Sequence, residues 1–160
     1  MSRYAAETDV PADRSRAEIE KTLQRYGADG FMYGWEGTRA MIGFRLQGRH
    51  IKVVMPMPDR QAREFTHATF GARGTQPRSS DAAAKAYDQA VRQRWRALAL
   101  VIKAKLEATE TGITTVEQEF MAHIVLPDGQ TVGDYMQPQI AIAYERGDMP
   151  KLLPDYTGGK

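Results

Sequence analysis

The residues best suited to chemistry are few and scattered. Three histidines, His50, His67 and His123, stand far apart without metal-ligand spacing, and the chain has no cysteine. Thiolate catalysis, a disulfide framework and cysteine-based zinc or iron–sulfur sites are thereby excluded. Glu117, Glu119 and His123 would share a face if residues 116–126 formed a strand, and could then hold a divalent cation. On a helix only Glu119 and His123 remain neighbours, a pairing common on ordinary surfaces. Paired-carboxylate hydrolysis by Glu117 and Glu119 has less behind it still. No Gly-Lys-Ser/Thr phosphate loop, GxGxxG, HExxH or Gly-x-Ser-x-Gly elbow occurs. The expectation is a protein that is not an enzyme, with no catalytic residue, metal or cofactor.

Charge is the more informative feature. The net value of +2 over 160 residues conceals a segregation: residues 1–30 carry −1, residues 31–105 carry +9 and residues 106–160 carry −6. A clustered like charge repels itself unless something neutralises it, so the middle segment calls for an anionic partner or for the acidic C-terminal segment folded back onto it. Within that middle segment, Lys85, Arg92, Arg96 and Lys103 fall within about 20° of one line on a helix of ~100° per residue. The repulsive Arg92/Arg96 pair is not what an ordinary solvated face shows. This line is the first candidate surface for phosphates. A second is the Arg-containing stretch 59–80, where Arg73 and Arg78 would clamp a strand and Phe65 or Phe70 would stack on bases.

The elements that must position these groups read as α+β. Helical spacing of Ala17, Ile19, Leu23 and Tyr26 gives a first helix from about Ala12 to Tyr26, stopped by Gly27. A three-stranded antiparallel meander follows over 30–57, with turns at Glu36-Gly37 and Gln47-Gly48. Those turns make opposed residue numbers sum to 73 and 95, pairing Phe31 with Ile42, Tyr33 with Ala40 and Trp35 with Thr38, then Phe44 with Ile51 and Ile42 with Val53. Both registers put one apolar set on one face. The other face mixes Arg39, Arg45, His50 and Lys52 with Met32, Met41 and Val54 over two glycines, Gly34 and Gly43. It reads either as a contact platform or as a face covered by a second element such as the first helix.

Residues 59–80 form a long connection without sustained periodicity, expected to be mobile. A long helix runs from about Asp81 to Thr109, its stripe formed by Ala84, Tyr87, Val91, Trp95, Leu98, Ile102 and Leu106, with the basic line near the middle of its solvent side. Thr114-Thr115-Val116-Glu117 favours a helix over about 115–124, with a strand as the alternative, and Thr131-Val-Gly-Asp134 caps another helix ended by Gly147. Pro138 either begins or kinks that helix. Residues 1–10 and 151–160 are expected to be loose ends of one domain. No apolar run approaches the roughly 20 residues of a membrane helix, and the start lacks a signal peptide's apolar core, so a cytoplasmic setting is expected.

Gly30-Phe-Met-Tyr-Gly-Trp35, the stretch from Arg92 to Ala108, and Leu126-Pro-Asp-Gly-Gln-Thr-Val-Gly133 resemble segments of short bacteriophage and prophage accessory proteins. The resemblance implies a replication, recombination or anti-defence factor and carries no site residue with it. The order helix, meander, long helix is also similar to the core of single-strand-annealing recombination proteins, as a fold-level analogy. The leading expectation is therefore a non-enzymatic nucleic-acid-binding phage accessory protein of replication or recombination type, a viral protein with single-stranded DNA as one expected ligand and RNA left open. The alternative is a protein–protein module (an anti-defence inhibitor or assembly adaptor) that uses Met32, Arg39, Met41, Arg45, Lys52 and Val54. The sheet's basic face and the basic helix line point in opposite directions, so only a homo-oligomer would join them in one groove.

Overall fold

The computed structural model describes residues 8–148. Helix α1 spans Ala12–Arg25; strands β1 (Gly30–Glu36), β2 (Arg39–Leu46) and β3 (Arg49–Pro56) form an antiparallel sheet in that order; helix α3 runs over Ser80–Glu110. Between β3 and α3 lie a helical turn, α2 (Arg63–Thr66), and a small hairpin of β4 (His67–Thr69) and β5 (Thr75–Pro77). The stretch without periodicity is thus built from pieces too short to carry a period. The C-terminal part holds α4 (Val116–Phe120), a 3₁₀ turn at Met121–His123 and α5 (Val132–Arg146), which resolves the helix-or-strand ambiguity toward helix. The expected loose ends fall outside the described residues except for Thr8–Val10. Of these, the Thr8 carbonyl accepts from Gln89 Nε2 at 3.0 Å.

The second hairpin keeps the expected register, but the first does not. Its partners sum to 75: Phe31 pairs with Phe44, Tyr33 with Ile42 and Trp35 with Ala40. The turn is Gly37-Thr38, with positive φ at Gly37 alone (56°), the II′ pattern that suits a right-twisted hairpin. A shift of one residue in the turn moves the pairing sum by two, so every side chain keeps its face. That is why the apolar assignment survives a wrong turn. The second turn is of I′ type and places Gln47 at φ 49° beside Gly48 at 73°. Gln47 is the one non-glycine with positive φ among the described residues. Replacing it by Asn, which tolerates that region, should raise the unfolding free energy by up to about 1 kcal/mol, read as a higher urea midpoint with unchanged slope.

The core is one cluster. Ala40, Ile42, Phe44, Ile51 and Val53 from the sheet meet Ile19 and Leu23 of α1, Trp95, Ala99, Ile102 and Leu106 of α3, and Val116 and Phe120 of α4. Ser79 caps α3, its side chain accepting from Ala82 N at 3.3 Å. Thr115 and Thr131 each close a capping box, with Gln118 and Asp134 as the reciprocal residues. Pro138 lies inside α5, where it removes one backbone donor, and Gly147 ends the helix in the left-handed region at φ 71°.

Both α1 and α3 pack on the apolar side of the sheet, so the expected cover of the other side by the first helix is absent. α3 is also turned relative to expectation. The basic line lies about 70° from the buried stripe Trp95/Ala99/Ile102/Leu106, not opposite it. The reason is α1, which runs alongside α3 and takes up that flank. The fully exposed side of α3 carries Arg94, Ala97, Val101 and Ala104 instead.

Candidate functional site

Strand β1 is an edge of the sheet. Trp35 follows the alternation of core residues yet is 74% exposed. Beside it, Tyr33, Met57, Pro58, Arg60 and Tyr87 complete a cleft of about 360 Å³. Three segments distant in sequence converge here: the first hairpin, the chain leaving β3, and the first turns of α3. Pro56 and Pro58 stiffen the exit from β3, which sets Arg60 opposite Tyr87.

The cleft combines aromatic faces with cations. The Arg60 guanidinium stacks 4.3 Å from the Tyr87 ring centroid, and that of Arg16 lies 4.5 Å from the Tyr33 centroid and 5.5 Å from that of Trp95. Each tyrosine is braced from below by an edge-on ring at 5.6 Å, Tyr33 by buried Trp95 and Tyr87 by buried Phe65. Arg16 pairs with Asp13, whereas among the described residues Arg60 has no carboxylate partner. Arg94 donates to the Pro56 carbonyl at 2.5 Å, clamping the strand exit to α3. Rigid rings, one bare indole and an uncommitted guanidinium can sandwich a planar group while neutralising an adjacent anion.

The residues singled out from the sequence fare differently. Phe65 is buried under Tyr87 and cannot stack on a base; it anchors the 63–78 arm to the body. Phe70 is 52% exposed at the tip of that arm, where Arg73 is exposed as well, while Arg78 is half-buried at its base. On α3, Arg96 donates to Glu18 of α1 at 2.6 Å, and Arg92 donates to Gln89 at 2.8 Å with its Nε buried and without an acceptor among the described residues. Lys85 and Lys103 are exposed at distant points of the helix. The basic line is therefore not a free strip: an N-terminal carboxylate takes its middle. The acidic C-terminal segment engages other cations, with Glu117 on Arg49 at 3.4 Å and Glu119 on Lys105 at 3.0 Å. Those two carboxylates thus turn to different cations, and no group of three metal-ligating side chains occurs among the described residues.

Among the described residues, the second face of the sheet is largely uncovered, with residues 125–134 at its β3 side. Its cross-strand rows are Gly30–Arg45–His50, Met32–Gly43–Lys52, Gly34–Met41–Val54 and Glu36–Arg39–Pro56. The glycines leave a shallow concavity of about 470 Å³, with Met32 71% exposed at its side. Arg45 bonds Asp29 at 2.6 Å and holds that carboxyl below its usual range, and Lys52 donates to the Gly129 carbonyl at 3.3 Å. Asp134 is likewise lowered, first by its hydrogen bonds to Thr131 and then by the nearby Lys52 and Arg39.

Sequence reasoning missed Trp35 and Arg60. Alternation assigned Trp35 to the core, which holds for its face but not for its place at the end of an edge strand. The adjoining Gly37 turn and the Pro-x-Pro that brings Arg60 back were the available signals. No protein-family model matches the chain, and no curated protein or solved structure is significantly similar to it. No helix among the described residues is long and apolar enough to cross a membrane.

Proposed function

We propose that this protein binds single-stranded nucleic acid through the Trp35/Tyr87/Arg60 cleft, as the phage-accessory resemblance of its sequence would suit. The observation that carries the reading is an indole 74% exposed in one cleft with a guanidinium that lies 4.3 Å from an aromatic ring centroid and makes no ion pair among the described residues. Trp35 offers a base its face, Arg60 meets the adjoining phosphate, and Phe70 with Arg73 on the neighbouring arm extends the track. Arg39 also lines the cleft, which sets two cations against the Asp59 carboxylate on the same wall. Non-specific recognition of single strands works in this way, because every base has a π-face and every linkage a charge.

Titration of a fluorescein-labelled oligo(dT) at several salt concentrations tests the proposal. With three to four phosphates neutralised, log K should fall against log salt with a slope of about −2 to −3, at ~0.7 per phosphate for single strands. Undetectable binding at low salt, or binding indifferent to salt, overturns the reading.

A further inference from the structure

A carboxylate in the wall of a cleft that held phosphates alone would only weaken it, because like charges repel. Asp59 is such a group. It is exposed and lines the cleft with Trp35, Arg39, Arg60 and Tyr87, and among the described residues it makes no ion pair with either arginine. The segment that carries it is fastened on both sides. Met57 N donates to the Thr38 carbonyl at 2.8 Å, Arg94 donates to the Pro56 carbonyl at 2.5 Å, and Ala62 N donates to the Asp59 carbonyl at 3.0 Å. Within this turn Gln61 N donates to Asp59 Oδ1 at 2.9 Å, which fixes the carboxylate and leaves Oδ2 without a donor among the described residues. A carboxylate has about four acceptor sites, so about three remain for a ligand.

We infer that Asp59 makes the cleft prefer guanine among the bases of a single strand. The inference rests on the single-strand function proposed for this cleft and adds a base preference to it. A base stacked on Trp35 turns its edge, not its face, to the rest of the wall. Guanine alone presents two adjacent donors on its Watson–Crick edge, N1–H and N2–H, and a carboxylate accepts such a pair in parallel. Adenine and cytosine offer one amino group beside a ring nitrogen that is itself an acceptor and repels the carboxylate. Thymine and uracil offer one N–H between two carbonyl oxygens. Unstacked bases of single strands are commonly read on this edge. Arg60 and Arg39 offset the carboxylate's charge within the same cleft, so phosphate contact is kept while the base is selected. Bidentate contact with a base edge discriminates by roughly tenfold or more.

Fluorescence anisotropy of short labelled strands that differ only in the central base, at one low salt concentration, tests this. A strand of dT with one central dG should bind about tenfold more tightly than the all-dT strand. Deoxyinosine at the centre keeps the purine ring and N1–H but lacks the N2 amino group. It should lose most of the advantage, which separates the edge contact from better stacking. Asp59→Asn retains an acceptor for Gln61 N; with one negative charge fewer it should bind the all-dT strand more tightly than the native chain does, and the dG strand less tightly. Opposite shifts on two strands are not what a structural role produces, and weakening of both alike overturns the inference. Equal binding of the dG and all-dT strands, or an advantage that deoxyinosine or Asp59→Asn leaves intact, also overturns it while the single-strand function stands. Binding of no strand at all overturns both.

Discussion

Trp95→Ala is expected to lower the unfolding free energy by about 3–5 kcal/mol, out of the roughly 5–15 typical of a domain this size. Trp95 is 3% exposed and is the largest side chain that α3 places in the core cluster, with Val91 and Leu98 packed at its periphery. Removing it deletes the ring beneath Tyr33 and one of the two aromatic faces on which Arg16 rests. The sheet is only three strands wide, so no neighbouring element is free to collapse into the space, and the cavity term adds to the transfer term. Urea unfolding followed by far-UV circular dichroism measures the loss. Trp95→Phe should recover more than half of it, because a smaller ring still supports Tyr33. A loss under about 1 kcal/mol would mean that α3 does not pack by this stripe.

Much of this frame was legible in the residues, for reasons that are local. The meander could be read because period-two alternation and glycine at the turns are short-range signals, and because a one-residue error in the Gly37 turn leaves each side chain's face unchanged. The starts of α4 and α5 could be read from Thr115 and Thr131 in the same way, while α3 starts one residue before the expected Asp81, with Ser79 as its cap. The rotation of α3 could not. Its sequence offers two apolar flanks, Val91/Leu98 on one side and Ala97/Val101 on the other, and only the position of α1 decides which faces solvent. Arg92 and Arg96 then turn to Gln89 and Glu18, partners 3 and 78 residues away in sequence. A pairing of that second kind leaves no periodic trace.

The same distinction separates the parts of the candidate site. The second sheet face was visible as a set of residues, Met32, Arg39, Met41, Arg45, Lys52 and Val54, since register alone groups them. Whether anything covered it depended on the side chosen by α1. The aromatic cleft joins residues 33–35, 57–60 and 87, and no window of the sequence contains all three. Phe65 illustrates the converse. An aromatic in a polar connection reads as exposed, yet its place on α2 directs it into the flank of Tyr87.

Trp35→Ala should weaken oligo(dT) binding by about tenfold to a hundredfold while leaving the urea midpoint nearly unchanged. The chain has two tryptophans, and they divide the work: Trp95 is enclosed and holds the frame, whereas Trp35 is 74% exposed and contacts little that its loss would disturb. Deleting one stacked base platform costs about 1–3 kcal/mol of binding, which sets the expected range. Surface truncations of this kind usually change stability by no more than about 0.5 kcal/mol, so binding and folding can be read separately. Trp35→Phe, which keeps a π-face, should retain most of the affinity. Arg60→Ala should reduce both the affinity and the salt slope, by about 0.7 for the one phosphate it meets. Phe65→Ala should instead lower stability, because it removes the ring that braces Tyr87. If Trp35→Ala binds as tightly as the native chain, the cleft is not the site, whatever the salt dependence of binding elsewhere on the surface.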